Sequence, residues 1–277
     1  MWYRSDLKMR AKSVLRGCFW SAVIVCLISG ILAGEFGSRG SSRSSSSSNE
    51  NTTWDGSSYQ VSESLMLGEL DTEELGEKIG VSAAGALTAG LVPLVIYFGI
   101  GVFVVAMLIS IFVGFPILVG SKRFFMCSRE QKMGIGTILY AYRSGNMINV
   151  VFVQLLQAVK TFLWTLLLVI PGIVKGYEYR MIPYILAENP GIDQRRAFEL
   201  SRIMMTGQKW NAFVLDLSFF LWYLLGAVTC GLASIFYVNP YIAATNAELY
   251  AVLRDDLLNR GLSNTFELPG FYEPGTF

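Results

Sequence analysis

The fold turns on GIVKGYEYRMIPYILAEN, Gly172 to Asn189. It sits between strongly apolar runs, yet Lys175, Glu178 and Arg180 fall in its first half, so hydropathy alone would keep it out of a membrane. Charge distribution argues the other way. Residues 120–146 hold five Lys/Arg against one acid, and residues 189–209 hold four against two. Both segments are expected on the cytoplasmic side by the positive-inside tendency. An even number of crossings must then separate them, which makes Gly172–Asn189 the return leg of a helical hairpin.

The rest of the chain fits that setting. Of its 277 residues, 53% are hydrophobic and only 16% are charged, against about a quarter charged in an ordinary soluble domain. Mean hydropathy is +0.46. Apolar runs at Phe19–Ala33, Leu91–Val119, Ile148–Ile170, Trp210–Gly231 and Ser234–Leu253 approach the ~20 residues that cross ~30 Å of hydrocarbon. With the hairpin return leg, they predict an all-α, polytopic transmembrane bundle of about six spans, arranged as three hairpins with both termini cytoplasmic.

Residues 1–16 predict an interfacial helix. Arg4, Lys8, Lys12 and Arg16 form a basic stripe beside an apolar one of Tyr3, Leu7, Ala11 and Leu15, with the latter set in acyl chains. No small-x-small cleavage pattern follows, so the first apolar run is expected to be retained. The organisation is then 1–34, interfacial helix and first span; 35–90, a serine-rich extracytoplasmic loop with nine acids against Arg39, Arg43 and Lys78; 91–255, the remaining spans; and 256–277, a cytoplasmic tail. A short acidic helix is expected at Glu63–Ile79.

The last seven residues of the opening stretch, PYILAEN, return 57 residues later as PYIAATN (Pro240–Asn246) with five letters unchanged. Trp164 and Trp222 are each followed by paired leucines after one residue, and then by a glycine, Gly172 or Gly231. GCFW (Gly17–Trp20) parallels GQKW (Gly207–Trp210), and SGNMINVV (Ser144–Val151) is a weaker third copy. Pro116, Pro183 and Pro240 each come late in a returning span. The order of landmarks suggests three parallel repeats related by an axis along the membrane normal.

Chemistry is harder to find. The chain has no histidine, its four cysteines have no CxxC spacing, and no GxSxG occurs. No ordinary catalytic triad can be assembled, and no metal or cofactor is expected. Net charge of +1 gives no reason to expect nucleic acid.

The polar residues to explain are Lys160, Lys175, Glu178, Arg180 and Asp216, in or near spans. Lys175, Glu178 and Arg180 facing lipid together would cost on the order of 8–10 kcal/mol, so they should turn inward and pair, with Glu178 between the two bases, or contact water near the outer surface. Lys160 and Asp216 are the other expected pair, and Gln154, Gln157 and Lys160 form a polar stripe. A solute pathway and a set of packing salt bridges both fit, and the packing reading is preferred. Pro183 and Pro240 free the carbonyls of Tyr179 and Phe236, a pattern shared by transporter sites and simple kinks.

WTLLLVIPGIVKGYEYRMIPYILAENP, AFELSRIMMTGQKW, LDLSFFLW and NPYIAATNAELY resemble the bacterial integral-membrane family called domain of unknown function 975, over roughly 1–34 and 90–255. That family is similar to the membrane domain of some glycerophosphodiester phosphodiesterases. The resemblance implies a helical protein of the bacterial plasma membrane and supplies no catalytic residues. A non-enzymatic protein binding lipid, peptide or a partner protein in the bilayer is expected. Arg4, Lys8, Lys12 and Arg16 are the candidate anionic-lipid contacts. A small-solute transporter is the alternative, and an accessory subunit of export machinery a third.

Overall fold

The computed structural model describes residues 2–32, 95–131, 133–229 and 231–271. The serine-rich loop, the acidic helix expected at Glu63–Ile79, Cys230 and the last six residues lie outside them. Every regular element among the described residues is helical. That is the expected solution for chains in hydrocarbon, where each backbone N–H and C=O must be satisfied within its own segment.

The first helix, α1, spans Arg4–Leu32 and joins the amphipathic segment to the first apolar run. Its one irregular residue, Cys18 (φ −138°, ψ 30°), separates the two halves. Helix α2 runs Val95–Cys127. Its residues 95–107 belong to a separate unit and are described only as helix with exposed apolar side chains. Helix α3 is Met147–Leu167, α4 Val169–Glu178, α5 Ile182–Glu188, α6 Gln194–Met205, α7 Lys209–Leu217, α8 Phe220–Val228 and α9 Asn239–Asn259. Four segments are long and apolar enough to cross a membrane: α1, α2, α3 and the α7–α8 stretch Lys209–Val228. The two remaining predicted spans take other forms. Gly172–Asn189 falls within the pair α4–α5, and Ser234–Leu253 becomes a π-turn followed by α9.

Hairpin geometry follows from small residues at the crossing points. A single extended residue, Leu168 (φ −156°, ψ 132°), turns α3 into α4. The two helices come so close that a Cβ on Gly172 would stand 2.6 Å from Thr165 Cα and 2.9 Å from its amide nitrogen. Gly120 on α2 is equally constrained, since a Cβ there would lie 2.8 Å from Ile138 Cα in the short 3-10 turn Ile135–Leu139.

The prolines mark interruptions. Pro183 opens α5 just after the turn at Tyr179–Met181. Pro116 and Pro240 each follow a five-residue π-turn, Ser110–Gly114 and Ser234–Val238. Both π-turns begin Ser-Ile-Phe, six residues before the proline.

The core lies where the repeated phrases sit. All seven residues of α5 are buried, and α9 is buried along most of its length. Tyr184 of PYILAEN stacks on Tyr250 at 5.3 Å between ring centroids. By contrast the far ends of the hairpins, Leu166–Ile170 and Phe220–Val228, carry exposed Leu, Val, Ile and Phe side chains. So much contiguous apolar surface would aggregate in water and is at home in lipid.

One expectation about α1 needs correcting. Leu7, Ala11 and Leu15 are buried in the protein core, and α1 packs chiefly on α9. Only Tyr3 of the apolar stripe stays exposed. Small and branched side chains at i, i+4 and i+8 give α9 a flat face to pack against, and that contact removes them from the acyl chains.

Candidate functional site

The interruption between α4 and α5 positions Arg180. Pro183 lacks the N–H that would bond the Tyr179 carbonyl, and that oxygen instead accepts from Ile182 N and Gln157 Nε2, each at 3.2 Å. Arg180 then reaches across to α7 and grips Asp216 with both arms, Nη1 to Oδ2 at 2.7 Å and Nη2 to Oδ1 at 2.8 Å. Tyr177 donates to the same carboxylate at 2.9 Å. Nη2 also donates to Asn246 Oδ1 at 2.8 Å. The asparagine that ends PYIAATN therefore holds the arginine that precedes PYILAEN. Two-armed guanidinium–carboxylate contacts fix orientation as well as charge.

Glu178 is buried and accepts from Lys175 Nζ at 2.9 Å and Lys209 Nζ at 2.6 Å, with Arg202 Nε further off at 3.8 Å. The expectation that Glu178 would sit between Lys175 and Arg180 is thus half right. Lys209 takes the second place, because Arg180 points away toward Asp216. The expected Lys160–Asp216 pair does not form. Lys160 Nζ lies 3.9 Å from the centre of the Phe198 ring, and no carboxylate within 4 Å of it occurs among the described residues. A cation over an aromatic face is held by the ring quadrupole and needs no acid. Gln154, on the same stripe, is buried with its Nε2 unpartnered.

A second polar centre, around Glu188, escaped sequence reasoning. Glu188 is almost wholly buried and receives Tyr250 Oη at 2.6 Å, Arg254 Nε at 2.7 Å and Gly270 N at 2.8 Å. Beside it Asn189 Nδ2 donates to the Glu267 carbonyl at 3.1 Å, and Arg254 Nη2 to that of Leu268 at 2.9 Å. Residues 262–271 are thereby strapped back over the first repeated phrase, with Leu268 fully buried. The available signal was an acid inside an otherwise apolar heptapeptide.

Arg196 completes the strap, donating to both oxygens of Glu267 at 2.8 and 3.0 Å. This contact, chiefly, holds the Glu267 carboxyl below its ordinary value of 4.5, aided by Ser263. A carboxylate depressed on folding stabilises fully above its unfolded value and loses that contribution as pH falls through the folded one. Protease cleavage within 262–271 is therefore expected to accelerate as pH drops below about 4.5. In Glu267→Gln the acid-induced increase should be reduced, and an unchanged acid profile there would assign the effect to another group.

The N-terminal stripe is arranged differently from both centres. Arg4, Lys12 and Arg16 are exposed and Lys8 is half-buried. Lys8 Nζ lies 4.7 Å from the Phe219 ring centre and Lys12 Nζ 5.9 Å from that of Tyr241. Among the described residues no carboxylate pairs with any of the four bases.

Apolar hairpins laid bare at one end and a charge-laced helical core at the other define an all-helical integral membrane protein. The chain belongs to the family described as protein of unknown function (DUF975), whose sequence profile matches residues 1–256. No curated protein and no solved structure shows significant similarity to the chain.

Proposed function

We propose that the protein is a non-enzymatic, multi-pass protein of the bacterial cytoplasmic membrane that works by binding anionic lipid at the cytoplasmic face. The observation that carries this reading is the N-terminal stripe. Among the described residues its bases have no carboxylate partners, while Leu7, Ala11 and Leu15 beside them are taken up by the core. Each exposed base near an anionic leaflet contributes ~1 kcal/mol of attraction. Peptide or partner-protein binding, including export machinery, would use the same face.

Six spans in three parallel hairpins, both termini cytoplasmic, remain the preferred topology. Two features support the repeat: the Ser-Ile-Phe π-turn before Pro116 and Pro240, and the Arg180–Asn246 bond between the two phrases. The return leg would be the α4–α5 pair, 20 residues from 169 to 188 with the turn at Tyr179–Met181 between the two helices, against the ~20 helical residues that cross a bilayer.

The transporter alternative has one observation in its favour, that helix α3 carries Lys160, with no carboxylate partner among the described residues, and the unpartnered amide of Gln154. Against it, Lys175, Glu178, Arg180 and Asp216 are spent on one another. Full-length protein purified in neutral detergent is expected to carry anionic phospholipid enriched over its share in the source membrane. Retention should fall as salt rises, because charge attraction is screened. Recovery of lipids in their bulk proportions, insensitive to salt, would defeat the lipid reading.

A further inference from the structure

One cleft of about 420 Å³ opens at the start of α1, lined by Tyr3, Arg4, Ser5, Lys8 and Ser218. Its two ionic groups are both cations. The one acid of residues 1–16, Asp6, is outside the lining and accepts from Ser5 Oγ at 3.3 Å. Asp216, two residues from Ser218, is already claimed by Arg180. Among the described residues no carboxylate pairs with Arg4 or Lys8, so the cleft presents positive charge together with the Tyr3 hydroxyl. Lys8 is steadied from one side by the Phe219 ring, which leaves its remaining N–H groups to point elsewhere.

The surroundings are apolar. Ser218 stands in the turn between α7 and α8, and its neighbours Leu217, Phe220 and Leu221 are 58, 63 and 75% exposed. An oxyanion in the cleft would thus have exposed apolar side chains next to Ser218 along the chain. That combination suits an amphiphile better than a free ion.

Resting on the lipid reading above, we propose that this cleft is a specific site for a phosphomonoester lipid headgroup. Arg4 and Lys8 bind the phosphate, Tyr3 donates to its oxygens, and the acyl chains lie along Leu217, Phe220 and Leu221. A phosphomonoester approaches two negative charges near neutral pH, matching the two bases. A phosphodiester such as phosphatidylglycerol carries one. Lys12 and Arg16, further along the stripe, contribute only diffuse attraction.

The test uses full-length protein, delipidated in neutral detergent and titrated with phosphatidic acid, phosphatidylglycerol or inorganic phosphate, with bound ligand counted by native mass spectrometry. Phosphatidic acid should bind tightest, and Arg4→Gln with Lys8→Gln should weaken it about 30-fold, the effect expected of two bases. Lys12→Gln with Arg16→Gln should weaken it less than about 3-fold, since screened charges outside the cleft act weakly. Lys8→Arg should retain binding, and an unchanged melting temperature confirms that each variant is folded. Equal loss in the two double variants would overturn the site while leaving general anionic-lipid binding intact. Equal affinity for phosphatidylglycerol would overturn the phosphomonoester class, and competition by millimolar inorganic phosphate the lipid source. Binding of neither anionic lipid would bring down the parent reading and the site together.

Discussion

Glu188→Ala is expected to be the most damaging single side-chain truncation in this protein. The carboxylate is almost wholly buried and satisfies Tyr250, Arg254 and the Gly270 amide. Removing it strands a guanidinium and a hydroxyl inside the core, and breaking a buried pair from one side costs about 3–5 kcal/mol. Melting in detergent should fall on the order of 10 °C for a chain of this size. The strap at 262–271 should also become protease-sensitive at neutral pH, since Glu188 holds its far end. Glu188→Leu combined with Arg254→Met should be milder than either change alone, because a buried ion pair does not always repay its desolvation. A single truncation that melts within a degree of wild type would show that the strap and its acid contribute nothing.

The second large effect is expected at Asp216. Asp216→Ala takes away both oxygens that the Arg180 fork grips and the acceptor of Tyr177, leaving Asn246 and the Tyr177 ring against the guanidinium among the described residues. Hydrogen bonds to charged groups contribute about 1.5–3 kcal/mol each, and Asp216 is partly exposed, so a loss of about 2–3 kcal/mol is expected. Replacing Arg180 and Asp216 together with leucines should recover part of it. The double variant also separates packing from transport. If the pair only ties α7 to the α4–α5 break, a folded double variant keeps its cellular phenotype. A folded double variant that loses the phenotype would favour a solute path through this layer.

Much of this architecture was readable in the chain, for physical reasons that differ by element. Helices α2 and α3 announce themselves because a bilayer demands long apolar runs, and hydropathy counts them directly. Hydropathy does not mark Gly172–Asn189 as a span, and only the charge bias on either side argues for a return leg there. What hydropathy hides is interruption inside an apolar run. LDLSFFLW reads as one continuous span, yet the helix breaks at Ser218–Phe219. Nothing in composition marks that turn, and it is the turn that brings Ser218 to the N-terminal cleft.

Partner choice among the charges was the other hidden layer. That Lys175, Glu178, Arg180 and Asp216 must turn inward follows from the cost of charge in hydrocarbon. Which base meets which acid depends on how α7 and α9 pack, so Lys209 displaced Arg180 at Glu178, and Lys160 found Phe198 in place of Asp216. The strap is the extreme case. Residues 262–271 have no regular period, and their position is set by Glu188, Asn189, Arg196 and Arg254, which lie up to 82 residues away.

The central claim, three hairpins beginning and ending at the cytoplasmic face, is tested most directly by single cysteines at Ser46, Glu130 and Arg195, in a background lacking the four native cysteines. Glu130 and Arg195 are exposed, so their replacements should be accessible to thiol reagents. In intact cells, a membrane-impermeant maleimide should label Ser46→Cys only, and Glu130→Cys and Arg195→Cys should react after the membrane is opened. Labelling of Arg195→Cys from outside would mean that α3 to α5 cross the membrane an odd number of times, which contradicts the hairpin and the repeat built on it.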